Sequence, residues 1–223
     1  MQSSPKRASV GLFVDGNALF RAIDELNEPS LKWLDLQSLG RSLIVEDVVI
    51  SHTILAFCST SGDRAIRAHE RAFLNILQAR GVVCIGDDGV REFHECSRCG
   101  HGWDEKAARR NEAELAVALL DGAWDDQFDH AILIGDHWDW PALERRFAER
   151  FTQKTLTIAC LRPLPRPSLT PPNIRRRVLT KRDLRAHPLA DKVKGPRGET
   201  ISRPRDWAPG ASARWSDLEI TGL

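Results

Sequence analysis

The 223-residue sequence predicts an α/β protein with a mostly parallel central sheet and helices on both faces. Three observations carry that prediction. Short β-branched runs alternate with longer amphipathic segments as far as Cys160. The runs Val10–Val14 and Ala131–Ile134 are apolar throughout, as strands covered on both sides are. Hydrophobic residues make up 42% of the chain and charged residues 28%, which suits a buried core and argues against global disorder.

The elements follow in order. Val10–Val14 is a strand that ends in the turn signal Asp15-Gly16-Asn17. Ala18–Asn27 reads as a short helix, and Leu36, Leu39 and Leu43 share one face of a second over Asp35–Ile44. Val48–Phe57 is a β-branched strand. Ile66, Phe73, Leu74 and Leu77 line one face of a helix over Asp63–Arg80, which Gly81 stops before the strand Val82–Ile85. Glu112–Trp124 is a helix with Leu115, Leu119 and Leu120 inward, followed by the strand Ala131–Ile134. Pro141 opens a helix to Phe151, and Thr155–Cys160 is a strand. Past Leu161, Pro163, Pro165, Pro167, Pro171 and Pro172 break regular structure. The expected organisation is an α/β domain over 8–161, with an insert at about 91–110, and a basic Pro/Arg-rich extension over 162–223 that wraps the domain or reaches a partner.

Net charge is only +1, but it is uneven. Residues 162–214 hold 14 Arg/Lys against 4 Asp/Glu, while residues 1–161 hold 18 against 25. An acidic body with a basic segment fits either an anionic partner, nucleic acid being the usual one, or a solvated basic tail. Arg175, Arg176 and Arg177 are the candidate phosphate contacts. No apolar run is long enough to cross a membrane, and Asp15 cuts the first one too short for a signal-peptide core. Five cysteines with one C-x2-C pair do not make a secreted disulfide framework, so a reducing, cytoplasmic setting is expected.

Four groups could carry chemistry. In a parallel sheet, ligands bind beyond the carboxyl ends of the strands. Asp15 stands there, placed either to hold a hard cation or to cap the next helix. Asp136 and Asp139 in IGDHWDW follow another buried strand, with the same two readings. Glu112, or Glu114, opens a helix, where acids meet the helix dipole favourably and could also lean over the same rim. Carboxylates converging there would bind Mg²⁺ or Mn²⁺, ions that activate water and clamp a phosphodiester. Trp138 and Trp140 flank the site, as base-stacking faces or as core. Last, His94-x-Cys96-x2-Cys99-x-His101 has the spacing of a zinc knuckle, with Cys58 as a substitute for one histidine; otherwise it is an unliganded polar loop.

Taken together, GLFVDGN, WLDL at 33–36, CSRCG at 96–100, Glu105-Lys106, ELAVALLDGAWDDQFDHAILIGD at 114–136 and ISRPRDW at 201–207 resemble the NYN family of the PIN-like nuclease superfamily, in its bacterial form with a C-x2-C insert. The resemblance covers residues 9–161, with an echo to Trp207. It implies a Rossmann-like α/β sandwich, an acidic ring for Mg²⁺ or Mn²⁺, and metal-dependent cleavage of RNA. It places metal-holding acids at Asp15, Glu112 and Asp139, with Asp136 one residue early and completing the site or positioning water. Asn17, His137 and Trp138 beside these acids are the candidate RNA contacts, although the family's asparagine position falls on Ala18, one residue after Asn17. The sequence departs from the family where Glu112 replaces an aspartate, His137 replaces another, and about three residues are inserted near Ala107–Arg110. His137 would favour Mn²⁺ or Zn²⁺ over Mg²⁺. A degenerate, non-catalytic RNA-binding module is the alternative, and a homodimer is compatible with either.

Overall fold

The computed structural model describes residues 7–44, 48–59, 61–86, 90–107, 109–136, 140–162 and 171–211. In chain order the elements are β1 (Ala8–Asp15), α1 (Gly16–Glu25), α2 (Leu36–Ser42), β2 (Val48–Ala56), α3 (Arg64–Ala79), β3 (Val82–Ile85), β4 (Val90–Glu95) and β5 (Gly102–Ala107). They continue with α4 (Arg109–Trp124), β6 (His130–Ile134), α5 (Pro141–Arg150), β7 (Thr155–Cys160), β8 (Ile174–Val178), α6 (Lys181–Arg185), β9 (Lys192–Lys194) and β10 (Thr200–Ser202).

Six strands form the central sheet in the order β3-β2-β1-β6-β7-β8, and every pairing is parallel. Strand alternation sorts side chains between two cores. Val10, Leu12 and Val14 of β1 pack with α1, α2 and α3 through Leu19, Ile23, Leu39, Phe73 and Leu77. Phe13 points the other way, against Leu115 and Leu119 of α4 and Leu143 and Phe147 of α5. Helices therefore cover both faces, as the alternation of sequence patterns predicts.

The helices on the first face begin at acidic caps. Asp15, Asp35 and Asp63 accept from the backbone N–H groups of Ala18, Ser38 and Ala65, which satisfies donors that a helix start leaves open. The segment from His94 to His101, read as a zinc knuckle or an unliganded polar loop, is the exposed tip of an antiparallel hairpin, β4–β5.

The sheet does not end at the expected boundary after Leu161. Strand β8 pairs with β7 from Leu156↔Ile174 to Cys160↔Val178. Beyond it the chain wraps back over the first core. Trp33 Nε1 donates to Ala190 O at 2.9 Å, and Asp35 N–H to His187 O at 2.8 Å. Trp207, only 5% exposed, packs among Phe20, Trp33 and Phe73 with ring centroids 5.8, 6.2 and 6.1 Å away.

The uneven charge has a counterpart inside the molecule. Arg162 pairs with Glu25 and Asp136, Arg176 with Glu144, and Lys181 and Arg185 with Glu28. Arg162, Arg176, Lys181 and Arg185 of the basic segment are thus matched to acids of the body.

Candidate functional site

The chain runs from β1 to β2 on one side of the sheet and returns to pair β6 on the other side of β1. The crevice beyond the carboxyl ends of β1 and β6 is therefore the switch point of the sheet, where α/β folds bind ligands. Asp15 ends β1 there and is 2% exposed. Its Oδ1 accepts the Ala18 N–H at 3.0 Å, so the carboxylate caps α1 while it lines the crevice. Gly135, beside it at the end of β6, permits a close approach. A Cβ there would lie 3.1 Å from Trp140 Nε1 and 3.3 Å from Asp15 Cβ. Trp140 is 2% exposed, so of its two readings the core reading describes its ring. Among the described residues, its buried Nε1–H has no hydrogen-bond partner.

Helix α4 packs across β1, β2 and β3 and brings its first turn to the same rim. Asn111 lies one turn ahead of Leu115 and two ahead of Leu119, so it continues the inward face of the helix. It is 3% exposed, its amide lies against Gly86 just past β3, and among the described residues its Nδ2 has no hydrogen-bond partner. Glu112, the next residue, is half-buried and in position to meet the helix dipole. Glu114 is exposed on the outer side.

Asp136 does not join Asp15. By alternation Asp15 and Gly135 belong to the α4–α5 face, whereas Asp136 turns to the α1 face. There Arg162 Nη1 donates to Asp136 Oδ2 at 2.9 Å, and the same guanidinium holds Glu25. Ala18, Ala22 and Cys160 line this side of the crevice. Burial first, and then the negative charge of Asp136, push the Cys160 thiol up, so it stays protonated and is no nucleophile.

The remaining expected residues fall as follows. Asn17 uses both ends of its amide on Cys58: Nδ2 donates to Cys58 O at 2.7 Å and Oδ1 accepts Cys58 N–H at 2.9 Å. It fastens α1 to the end of β2. Cys58 itself is buried beside it. His137, Trp138 and Asp139 lie outside the described residues. Arg175 is exposed on β8, whereas Arg176 holds Glu144, and Arg177 reaches Asp183 at 3.4 Å and the carbonyls of Ser42 and Leu43.

At the hairpin tip, the amides of Arg98 and Cys99 and then the Cys99 thiol donate to the Cys96 sulfur, and together they hold the Cys96 thiol below its ordinary range. Among the described residues, no three His, Cys, Asp or Glu side chains are gathered closely enough to hold a metal ion. Nor, among them, is any helix long and apolar enough to cross a membrane.

The acids that the sequence points to at this rim leave out Asn111, its inward residue. The signal was there, in the i, i+4, i+8 spacing with Leu115 and Leu119. Nothing local in the sequence points to Arg162, which meets Asp136 only through the fold.

No family model and no curated protein matches this sequence. Among solved structures, the fold is similar to that of a Vibrio parahaemolyticus protein of unknown function. The TM-score is 0.51 at 16% identity, covering 84% of this chain and 100% of the other. That likeness concerns the fold alone.

Proposed function

We propose that this protein is a divalent-metal-dependent nuclease of the NYN, PIN-like type that hydrolyses RNA phosphodiester bonds. The observation that carries the reading is Asp15, a buried carboxylate at the end of the central strand, in the crevice where the strand order reverses. Glu112 reaches the same rim from the first turn of α4, and Asp139 is the third acid that the family resemblance supplies. Such carboxylates suit Mg²⁺ or Mn²⁺, which would polarise the phosphodiester and activate water. The chain's own contribution is to fix Asp15 by the sheet and by its cap. It also lines the same face with two buried N–H donors, Trp140 Nε1 and Asn111 Nδ2, which suit phosphoryl oxygens. The β4–β5 hairpin stands where the resemblance puts its C-x2-C insert. Asp136 takes no part as a ligand in this reading, because it faces Arg162.

That same ion pair favours a second reading. With Asp136 neutralised, the rim is less acidic than a two-metal site requires, which suits a fold that binds RNA without cutting it. One experiment separates the two: the purified chain incubated with mixed RNAs under Mg²⁺ or Mn²⁺, beside Asp15→Asn. Cleavage by the native chain that Asp15→Asn abolishes supports the nuclease. RNA binding with no cleavage under either ion supports the binding module. Cleavage unchanged in Asp15→Asn places the active site elsewhere.

A further inference from the structure

We propose that the tip of the β4–β5 hairpin binds a zinc ion through Cys96, Cys99, His94 and His101, as a site separate from the acidic rim. The first argument is the backbone of the tip. Cys96 N–H donates to His101 O at 2.9 Å, and Gly100 N–H donates to Cys96 O at 2.8 Å. Gly100 takes φ of 68°, a left-handed conformation that closes the chain directly after Cys99. The turn aims the amides of Arg98 and Cys99 at Cys96 Sγ and sets the Cys99 thiol against it. Two sulfurs side by side, one of them cradled by backbone N–H groups, form a paired thiolate donor for a soft divalent ion. The amides offset the charge that two thiolates would build up.

The second argument is register. The strands pair His94 with Trp103 and Glu95 with Gly102. One further step sets Cys96 opposite His101, as their hydrogen bond shows. Residues directly opposite share a face, and so do alternate residues of one strand. His94, Cys96 and His101 therefore lie on one side of the hairpin, next to Cys99. Among the described residues no three such side chains are gathered, so rotation about the side-chain bonds of His94 and His101 is the movement the ion would require. Two thiolates and two imidazoles make the tetrahedral set that zinc takes in structural sites, whereas Mg²⁺ prefers oxygen.

A metal ion would also give the hairpin a source of order. It is a two-stranded sheet of its own, outside the six-stranded one, and its Phe93 is 70% exposed. Isolated hairpins are marginal in water, and a metal clip supplies what a core does not. Because β5 ends at Ala107 and α4 begins at Arg109, a fixed tip also fixes the entry to the helix that carries Asn111 and Glu112 to the rim.

The test is metal analysis of the full chain purified without chelator, followed by replacement with Co²⁺. The expected result is about one zinc per chain, a tetrahedral cobalt spectrum with both thiolate and imidazole ligation, and loss of metal in Cys96→Ser. His94→Ala and His101→Ala should each weaken retention against a competing chelator. Limited proteolysis should cut near Arg98 faster in Cys96→Ser than in the native chain, while the melting temperature of the body stays the same. Metal retained in Cys96→Ser, or a chain that takes up neither zinc nor cobalt, overturns the site. A four-thiolate spectrum at half stoichiometry overturns the histidine assignment, since two hairpins would then share one ion. None of these outcomes depends on whether the acidic rim cleaves RNA.

Discussion

Asp15 caps α1, and substitutions can separate that duty from the metal-holding one that the proposed nuclease would ask of it. As a cap it needs only a side-chain acceptor, which asparagine supplies as well as aspartate. Under the nuclease proposal it would also need the charge. Asp15→Asn should therefore keep its melting temperature but lose activity about a hundredfold, the scale for removing a main electrostatic stabiliser. Asp15→Ala should in addition lose about 0.5–2 kcal/mol of stability with the cap. Equal melting temperatures for the two variants would show that the cap is not worth its usual amount here. Asn111 makes the converse case. A buried amide donor without an acceptor costs stability, so Asn111→Leu should raise the urea midpoint, by up to about 1–3 kcal/mol in stability, and weaken RNA binding. A lower midpoint would mean that the amide serves the fold and not a ligand.

At the level of elements, β6 carries a pH sensor of stability at its opposite end. His130 opens the strand with Nε2 2.8 Å from Thr157 Oγ1. Burial, and then the positive charge of Arg175, lower its pKa to about 4. An unfolded chain takes up that proton near pH ~6.5. Between those values the unfolded state binds more protons than the native one, so stability falls as pH drops from about 6.5 toward 4 and is full above that window. Urea midpoints measured across the window should slope downward for the native chain and flatten in His130→Gln. An equal slope in both would assign the effect to other groups. The strand patterns of β1, β6 and β7 were legible because both their faces are buried and their residues are mostly apolar. Strand β8 was not legible, because three of its five residues are arginines. An edge strand tolerates them where ion pairs such as Arg176 with Glu144 neutralise the inward-leaning charge.

Across the whole molecule, the segment after Leu161 is a structural part of the domain. It adds a sheet strand, pairs with Glu25, Glu28, Asp136 and Glu144 of the body and fills the first core with Trp207. A chain ended at Leu161 should therefore fail to fold cooperatively. The milder change Trp207→Ala should cost about 3–5 kcal/mol, a large part of the 5–15 kcal/mol typical of a domain. Urea denaturation checks both, and a cooperative transition in the shortened chain would restore the boundary after Leu161. Such a loss would also change how RNA affinity is read in truncated chains, since weaker binding would report unfolding and not a missing contact.

The sequence by itself determined the α/β class, the parallel strands buried on both faces, the rim at Asp15 and the C-x2-C tip. These are local signals: hydrophobic period, turn chemistry and cysteine spacing all act within a few residues of each other. Only the tertiary structure decided which side of the sheet each acid faces. Asp15 and Asp136 both follow strands, yet the alternation of a pleated backbone sends them to opposite faces, and Arg162 then claims one of them. Only the tertiary structure, too, turned an apparent basic tail into a strand and a core residue. Ion pairing and burial join residues more than a hundred positions apart, as Arg162 with Glu25 and Trp207 with Phe20 do, and no pattern along the chain records such distances.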